Sequence, residues 1–288
     1  MEELRLTTDD GVLLPATAFA PAASRAALVI APAMGVPRQY YRRFGADLAA
    51  RGIGVLAFDY RGVGDARAAV PDPANARLED WGRCDLEAAL VEARRRFPAT
   101  PLFLLGHSVG TQLVGLAPSS ESLAGLVFVA GSAPHARHYP GLSGIGTWMW
   151  MHAIVPLFAR GDWFPARRLR FSTVDVPGGV ARQWATWGRS ARYLFSAGHG
   201  LDTRRYRRLR APGLAVGAAD DPLAPRATMR ALLDQYPQVR FEEWWLLPAQ
   251  AGVRAIGHAG FFREELREAL WRPLADWLLA TAARHGTA

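Results

Sequence analysis

The 288-residue sequence contains no lysine, so all 34 of its basic residues are arginine. Against 26 acids they leave a formal net charge of +8 and an isoelectric point near 10.4. An excess of this kind can draw nucleic acid, anionic lipid or an acidic substrate, because summed charge raises the local counter-ion concentration. The clusters are short, however: Arg94-Arg95-Arg96, Arg167-Arg168, and Arg204-Arg205 with Arg207-Arg208. They stand near expected helix ends and loops with no nucleic-acid-binding signature beside them, which reads as solvated surface. Cysteine is almost missing as well. Cys84 alone cannot close an intrachain disulfide, and no CxxC or Cys/His cluster offers a zinc site. No metal and no organic cofactor is expected, and a reducing cytoplasm is the expected location. The opening "MEELRLTTDDG" is acidic and then polar, unlike a secretory signal. The richest apolar stretch, "TWMWMHAIVPLFA", is interrupted by a histidine and a proline and falls short of the roughly 18 residues needed to cross a bilayer.

What the sequence does have is a large hydrophobic share, 50%, distributed in a regular alternation. "EELRLT" and "VLLPATAF" flank the turn signal Asp9-Asp10-Gly11 and predict an opening β-hairpin. Buried-strand runs then alternate with amphipathic helices. The strands are "AALVIAP", "IGVLAFDY", "PLFLLG" and "LAGLVFVAG". The intervening helices are "YYRRFGADLAARG", "LEDWGRCDLEAALVEARRRF" and one opening at Ser108. Continuous apolar strands between such helices imply an α/β fold with a mostly parallel twisted sheet covered on both faces.

Near residue 131 the alternation stops. Residues 135–207 carry Trp, Met, Pro and Arg in helix-like pieces, and the strand pattern returns only at "APGLAVGAADD". A helix "PRATMRALLDQY", a strand "VRFEEWWLL", a loop "PAQAGVRAIGHAG" and a last helix "FFREELREALWRPLADWLLATAA" complete the chain. With no internal repeat and no low-complexity linker, the expected organisation is one catalytic core, 1–134 with 208–288, carrying a helical cap at 135–207 after the sixth strand.

The stretch "LFLLGHSVGTQL" contains Gly106-His107-Ser108-Val109-Gly110, a G-x-S-x-G pattern placed after a strand and before a helix. A serine opening a helix can be an ordinary N-cap. The strand–turn–helix setting is instead that of a nucleophile elbow, where a tight turn lifts the serine above the sheet edge and flanking glycines let strand and helix approach closely. A serine hydroxyl needs a base and a group to orient that base. Of seven histidines, His107 lies inside the elbow and should point away, His135, His138, His152 and His199 belong to the insertion, and His285 is in the tail. His258, in "AIGHAGF" after the last strand, falls at the same sheet edge as Ser108. For the acid, "LAVGAADDPLAP" ends a strand with two carboxylates. Asp221, at the head of the D-P-L-x-P turn, is the expected acid and Asp220 the alternative, the unused one being a solvated turn carboxylate.

The order Ser108, Asp221, His258, together with "APAMGVPRQYYRRFGADLAARGIGVLAFDYRGVGDA" and "IGHAGFFRE", resembles the α/β-hydrolase superfamily over nearly the whole chain. The closest likeness is to bacterial α/β-hydrolases related to serine esterases and lysophospholipases. The resemblance implies a serine hydrolase acting on carboxylic esters through an acyl-enzyme. It also implies an oxyanion hole from the backbone N–H groups of Val109 and of Met34, in the loop Ala31-Pro32-Ala33-Met34-Gly35, where Pro32-Ala33 stands in place of the usual His-Gly. Asp59 in "FDYRGVGDA" looks like the family's structural turn, with Arg61 as its partner.

The insertion holds Trp148, Trp150, Trp163, Trp184 and Trp187 beside Met149, Met151, Phe158 and Phe164. Trp148, Met151, Trp184 and Trp187 are the expected pocket residues for an apolar acyl or aryl group. The expected partner is a small-molecule ester, with no nucleic acid, and association into a homo-oligomer is left open. The same triad also serves an acyltransferase, a thioesterase or a peptidase, and the fold alone also serves non-catalytic binding.

Overall fold

The structure, a computed structural model, describes residues 1–285. Ten strands follow in chain order: β1 Glu2–Thr7, β2 Leu13–Phe19, β3 Ala26–Ala31, β4 Ile53–Phe58, β5 Leu102–His107, β6 Gly125–Val129, β7 Trp163–Phe164, β8 Val176–Pro177, β9 Pro212–Ala218 and β10 Arg240–Leu246. Eight of them form one sheet in the order β1-β2-β4-β3-β5-β6-β9-β10, while β7 and β8 pair only with each other. The hairpin β1/β2 is antiparallel and joins β4 antiparallel. All other pairings in the large sheet are parallel.

Strands β3 to β6 are buried from end to end, because helices cover both faces. The period of two sorts their side chains into two cores. Ala27, Val29 and Leu104 pack on the face holding the helical run 78–96 and the inserted segment, and Ala26, Leu28, Ile30, Phe103 and Leu105 on the face holding Arg42–Ala50 and the C-terminal run 267–285. The connection from β3 leads to β4 on one side and that from β5 leads to β6 on the other, so the topology reverses between β3 and β5. The crevice beyond the carboxyl ends of these strands is where such sheets hold their ligands.

The helix expected to open at Ser108 is short, Val109–Gln112 followed by a 3-10 turn Val114–Leu116, and it stops before Pro118. The last expected helix likewise begins as short turns, Gly260–Phe262 and Glu264–Leu266, before running on continuously. Among the described residues no helix is long and apolar enough to cross a membrane.

Asp59, at the end of β4, is fully buried, and its partner is Arg38 rather than Arg61. Arg38 gives Asp59 both its backbone N–H, at 2.6 Å, and its guanidinium, at 2.5 Å, and reaches Asp65 and Glu3 as well. Arg61 turns the other way, to the buried Asp85 and to Asp10. The two arginines thus split the turn after β4 into separate ion-pair networks, which one-dimensional proximity in "FDYRG" does not reveal. Arg38→Met should strand the Asp59 carboxylate and lower unfolding stability by about 3–5 kcal/mol. Urea unfolding measures this, and a loss within about 1 kcal/mol would contradict a hub at Arg38.

Candidate active site

Ser108 sits on the sharp turn between β5 and the short helix, with φ 51° and ψ −115°, outside the region L-residues prefer. Two glycines make this turn possible. A Cβ on Gly106 would lie 2.7 Å from the Thr111 backbone nitrogen, and one on Gly110 would collide with the Ala31 carbonyl of β3. The Ser108 N–H is tied to the Val129 carbonyl at 2.9 Å, and its own carbonyl accepts from both the N–H and the hydroxyl of Thr111. Ser108 makes no side-chain cap bond to the helix, so the N-cap reading gives no account of its hydroxyl.

That hydroxyl is 2.8 Å from His258 Nε2, and His258 Nδ1 is 2.8 Å from Asp221 Oδ2. The structure therefore brings together three residues spread over 150 positions of chain. Asp221 is 1% exposed, and its other oxygen accepts from the Leu223 and Ala224 N–H groups of the D-P-L-A-P turn. Asp220 is no idle turn carboxylate: it accepts from the Ile256 and Gly257 N–H groups and so holds the loop that delivers His258. The neighbouring carboxylates divide the work, one facing the imidazole ring and the other the backbone of the two residues before His258.

His107 points away from Ser108 and is buried, but it is not idle either. Its Nε2 lies 3.0 Å from the His258 carbonyl and its Nδ1 lies 2.8 Å from the Tyr41 hydroxyl, which accepts from the Ala33 N–H at 3.0 Å. Burial, reinforced by the neighbouring His258 ring, pushes the His107 pKa down to about 3. The ring is then neutral near pH 7, and one self-consistent assignment follows: Nε2–H donates to His258, and Nδ1 accepts the Tyr41 proton. This buried chain links the turn after β3 to the His258 loop. No feature of "RQYYRR" distinguishes Tyr41 from an ordinary helix-face aromatic.

The turn after β3 is pinned from above by the inserted segment. Ser172 donates its hydroxyl to the Met34 carbonyl at 2.6 Å, and Thr173 donates to the Gly35 carbonyl at 2.8 Å. Tyr193 donates to Gln112 behind the elbow, and Gln183 accepts the Leu78 and Glu79 N–H groups at the start of a core helix. A cavity of about 340 Å³ lies between this segment and the sheet edge, lined by Ser108, His258, Met34 and Val109 below.

Met151 and Trp184 line the cavity from the inserted segment, together with Trp150, Leu169 and Phe171. Trp148 and Trp187 do not. Trp148, 52% exposed, stacks on His152 on the outer side of its helix, and Trp187 is buried behind, edge-on to Tyr193. Three apart, positions 148 and 151 would be neighbours on a regular α-helix; here the run passes into a π-helical turn at Trp150–Ile154, which winds differently. Cys84 lies far from this chemistry in character, its half-buried thiol pushed up to about 12 by burial and by Asp10 and Asp9, which leaves it protonated.

The sheet order, the hairpin and the elbow together define the α/β-hydrolase fold. Residues 22–160, just under half of the chain, match the model of a family described as serine aminopeptidase, S33. No curated protein sequence matches the chain. Among solved structures, it is similar to Est1E from Butyrivibrio proteoclasticus with ferulic acid bound, at 15% identity, covering 97% of this chain and 99% of that one, TM-score 0.62. It is also similar to the esterase EaEST from Exiguobacterium antarcticum, at 14% identity over 96% and 99%, TM-score 0.60. A third is the monoacylglycerol lipase of Paleococcus ferrophilus, at 16% identity over 93% and 99%, TM-score 0.54.

The depressed pKa of His107 has a sign for stability. The unfolded chain takes up a proton at this residue below about pH 6.5 while the folded chain does not until about pH 3, so acid favours unfolding across that window. His107→Gln should be less stable than the parent near pH 7, through its lost hydrogen bonds. The gap should narrow by about 2 kcal/mol between pH 6.5 and 4.5 as the parent loses stability there. Urea midpoints at the two pH values check this, and a constant gap would contradict a buried neutral His107.

Proposed function

We propose that the protein is a serine hydrolase that cleaves carboxylic esters carrying an apolar acyl or aryl group. The observation that carries this reading is the chain Ser108–His258–Asp221, two contacts of 2.8 Å, at the floor of a largely apolar cavity. In this mechanism His258 takes the Ser108 proton as the oxygen attacks the ester carbonyl. Asp221 holds the imidazole in the tautomer with its proton on Nδ1 and stabilises the imidazolium. The N–H groups of Met34 and Val109 are the proposed oxyanion donors. His258 then protonates the leaving alcohol, and water attacks the acyl-enzyme with the same histidine as base. The segment 135–207 acts as the cap that shapes the cavity, with Met151 and Trp184 among its walls.

The description of the matching family favours a second reading, a peptidase taking a free amino terminus. An α-ammonium held in a cavity calls for a carboxylate, and among the described residues lining this one there is neither Asp nor Glu. The ester reading therefore stands first.

Hydrolysis of p-nitrophenyl esters of rising chain length tests it. Ser108→Ala should abolish turnover, and Asp221→Asn should cost about 10⁴ in kcat by favouring the wrong tautomer. Asp220→Asn, which disturbs only the loop, should cost far less. Equal losses at the two aspartates, or turnover surviving in Ser108→Ala, would overturn the assignment.

A further inference from the structure

Charge is unevenly distributed along the chain, and one arginine of its basic part lines the cavity. Between residues 135 and 207 there are eleven arginines and three acids, while the remaining residues hold twenty-three of each. The segment thus holds the whole formal net charge of +8 in about a quarter of the chain, and it supplies much of the cavity wall. Among the described residues Arg170 is the single arginine in the cavity lining, between Leu169 and Phe171, which line it too. Its backbone has φ 54°, a conformation a non-glycine residue adopts at some cost, and such strain clusters where a side chain must be aimed. Asp221, beneath the cavity floor, is committed to His258 and to its own turn. Among the described residues no carboxylate of the lining opposes Arg170.

Resting on the esterase reading above, we infer that the substrate is an ester bearing an anionic group, a carboxylate or a phosphate, remote from the scissile carbonyl, and that Arg170 is the residue that selects it. Apolar walls lower the local dielectric, so the charge of Arg170 acts on an anion in the cavity with less screening than on an open surface. Guanidinium geometry suits either anion through paired N–H donors. The apolar walls would take the methylene or aryl portion between the two ends.

The test compares the mono-p-nitrophenyl ester of suberic acid with its methyl-capped diester, which has the same chain and no charge. A second pair has a terminal phosphate and its dimethyl ester. At low ionic strength kcat/KM should favour the anionic member of at least one pair by about tenfold or more, with the preference fading as salt rises. The pair that shows it tells carboxylate from phosphate. In Arg170→Gln the ratio should fall toward one, and Arg170→Lys should keep part of it. A ratio of one or less in the parent for both pairs, or a ratio unmoved in Arg170→Gln, would overturn the inference. Methyl-capped ester still cleaved in a Ser108-dependent way would show that the esterase reading survives that failure. Binding of the corresponding unreactive anilides to Ser108→Ala, by calorimetry, gives the same comparison without turnover. Tighter binding of the anionic anilide supports the inference, and equal or weaker binding overturns it.

Discussion

The site depends on one backbone constraint, the left-handed conformation of Ser108 at the crossing of β5 and the helix that follows. A residue in that conformation is costly unless its surroundings leave it no alternative. Here they do not: Gly106 and Gly110 allow the helix to press against β3 and β5, and the Ser108 N–H and carbonyl are both taken by fixed partners. The strain is offset by the packing of the central strands, which are buried along their whole length. The result is a hydroxyl raised above the carboxyl edge of the sheet, where no regular strand or helix would hold it.

Everything else at this edge is arranged to meet that hydroxyl. His258 comes from a loop after the last strand, and a loop alone is a poor support for a residue that must be placed within a few tenths of an ångström. Asp220 holds the two residues before His258, while His107 meets the His258 backbone carbonyl and Asp221 the ring. Through Tyr41, His107 also reaches the turn that carries Met34, whose outer side is fastened by Ser172 and Thr173. Two loops from opposite ends of the sequence are thereby joined beneath the cavity by one buried hydrogen-bond chain, in which a neutral imidazole serves as both donor and acceptor.

Much of the fold is legible in the sequence because its signals are local and periodic. Fully apolar runs such as "AALVIAP" and "PLFLLG" lie on strands buried on both sides, and the Asp9-Asp10-Gly11 turn does close the first hairpin. Ser108 and His258 could be singled out because glycines and a strand end mark each of them. What stays hidden depends on direction in space. Arg38 rather than Arg61 meets Asp59, although Arg61 is the nearer in sequence. Trp148 and Met151 share a helical run yet face solvent and cavity respectively, since a stretch apolar all round gives no signal for its inner face. Asp220 and Asp221 are chemically equal in the sequence, and only the turn that follows sends one to the ring and the other to the loop.

The central claim, that the Ser108 oxygen forms a covalent acyl intermediate, is tested most directly by trapping. The protein is mixed with excess p-nitrophenyl ester, quenched in acid within the first turnovers and digested for mass spectrometry. The account predicts the mass of the acyl group on the peptide containing Ser108. Rapid ester turnover with the acyl mass on another residue would contradict it.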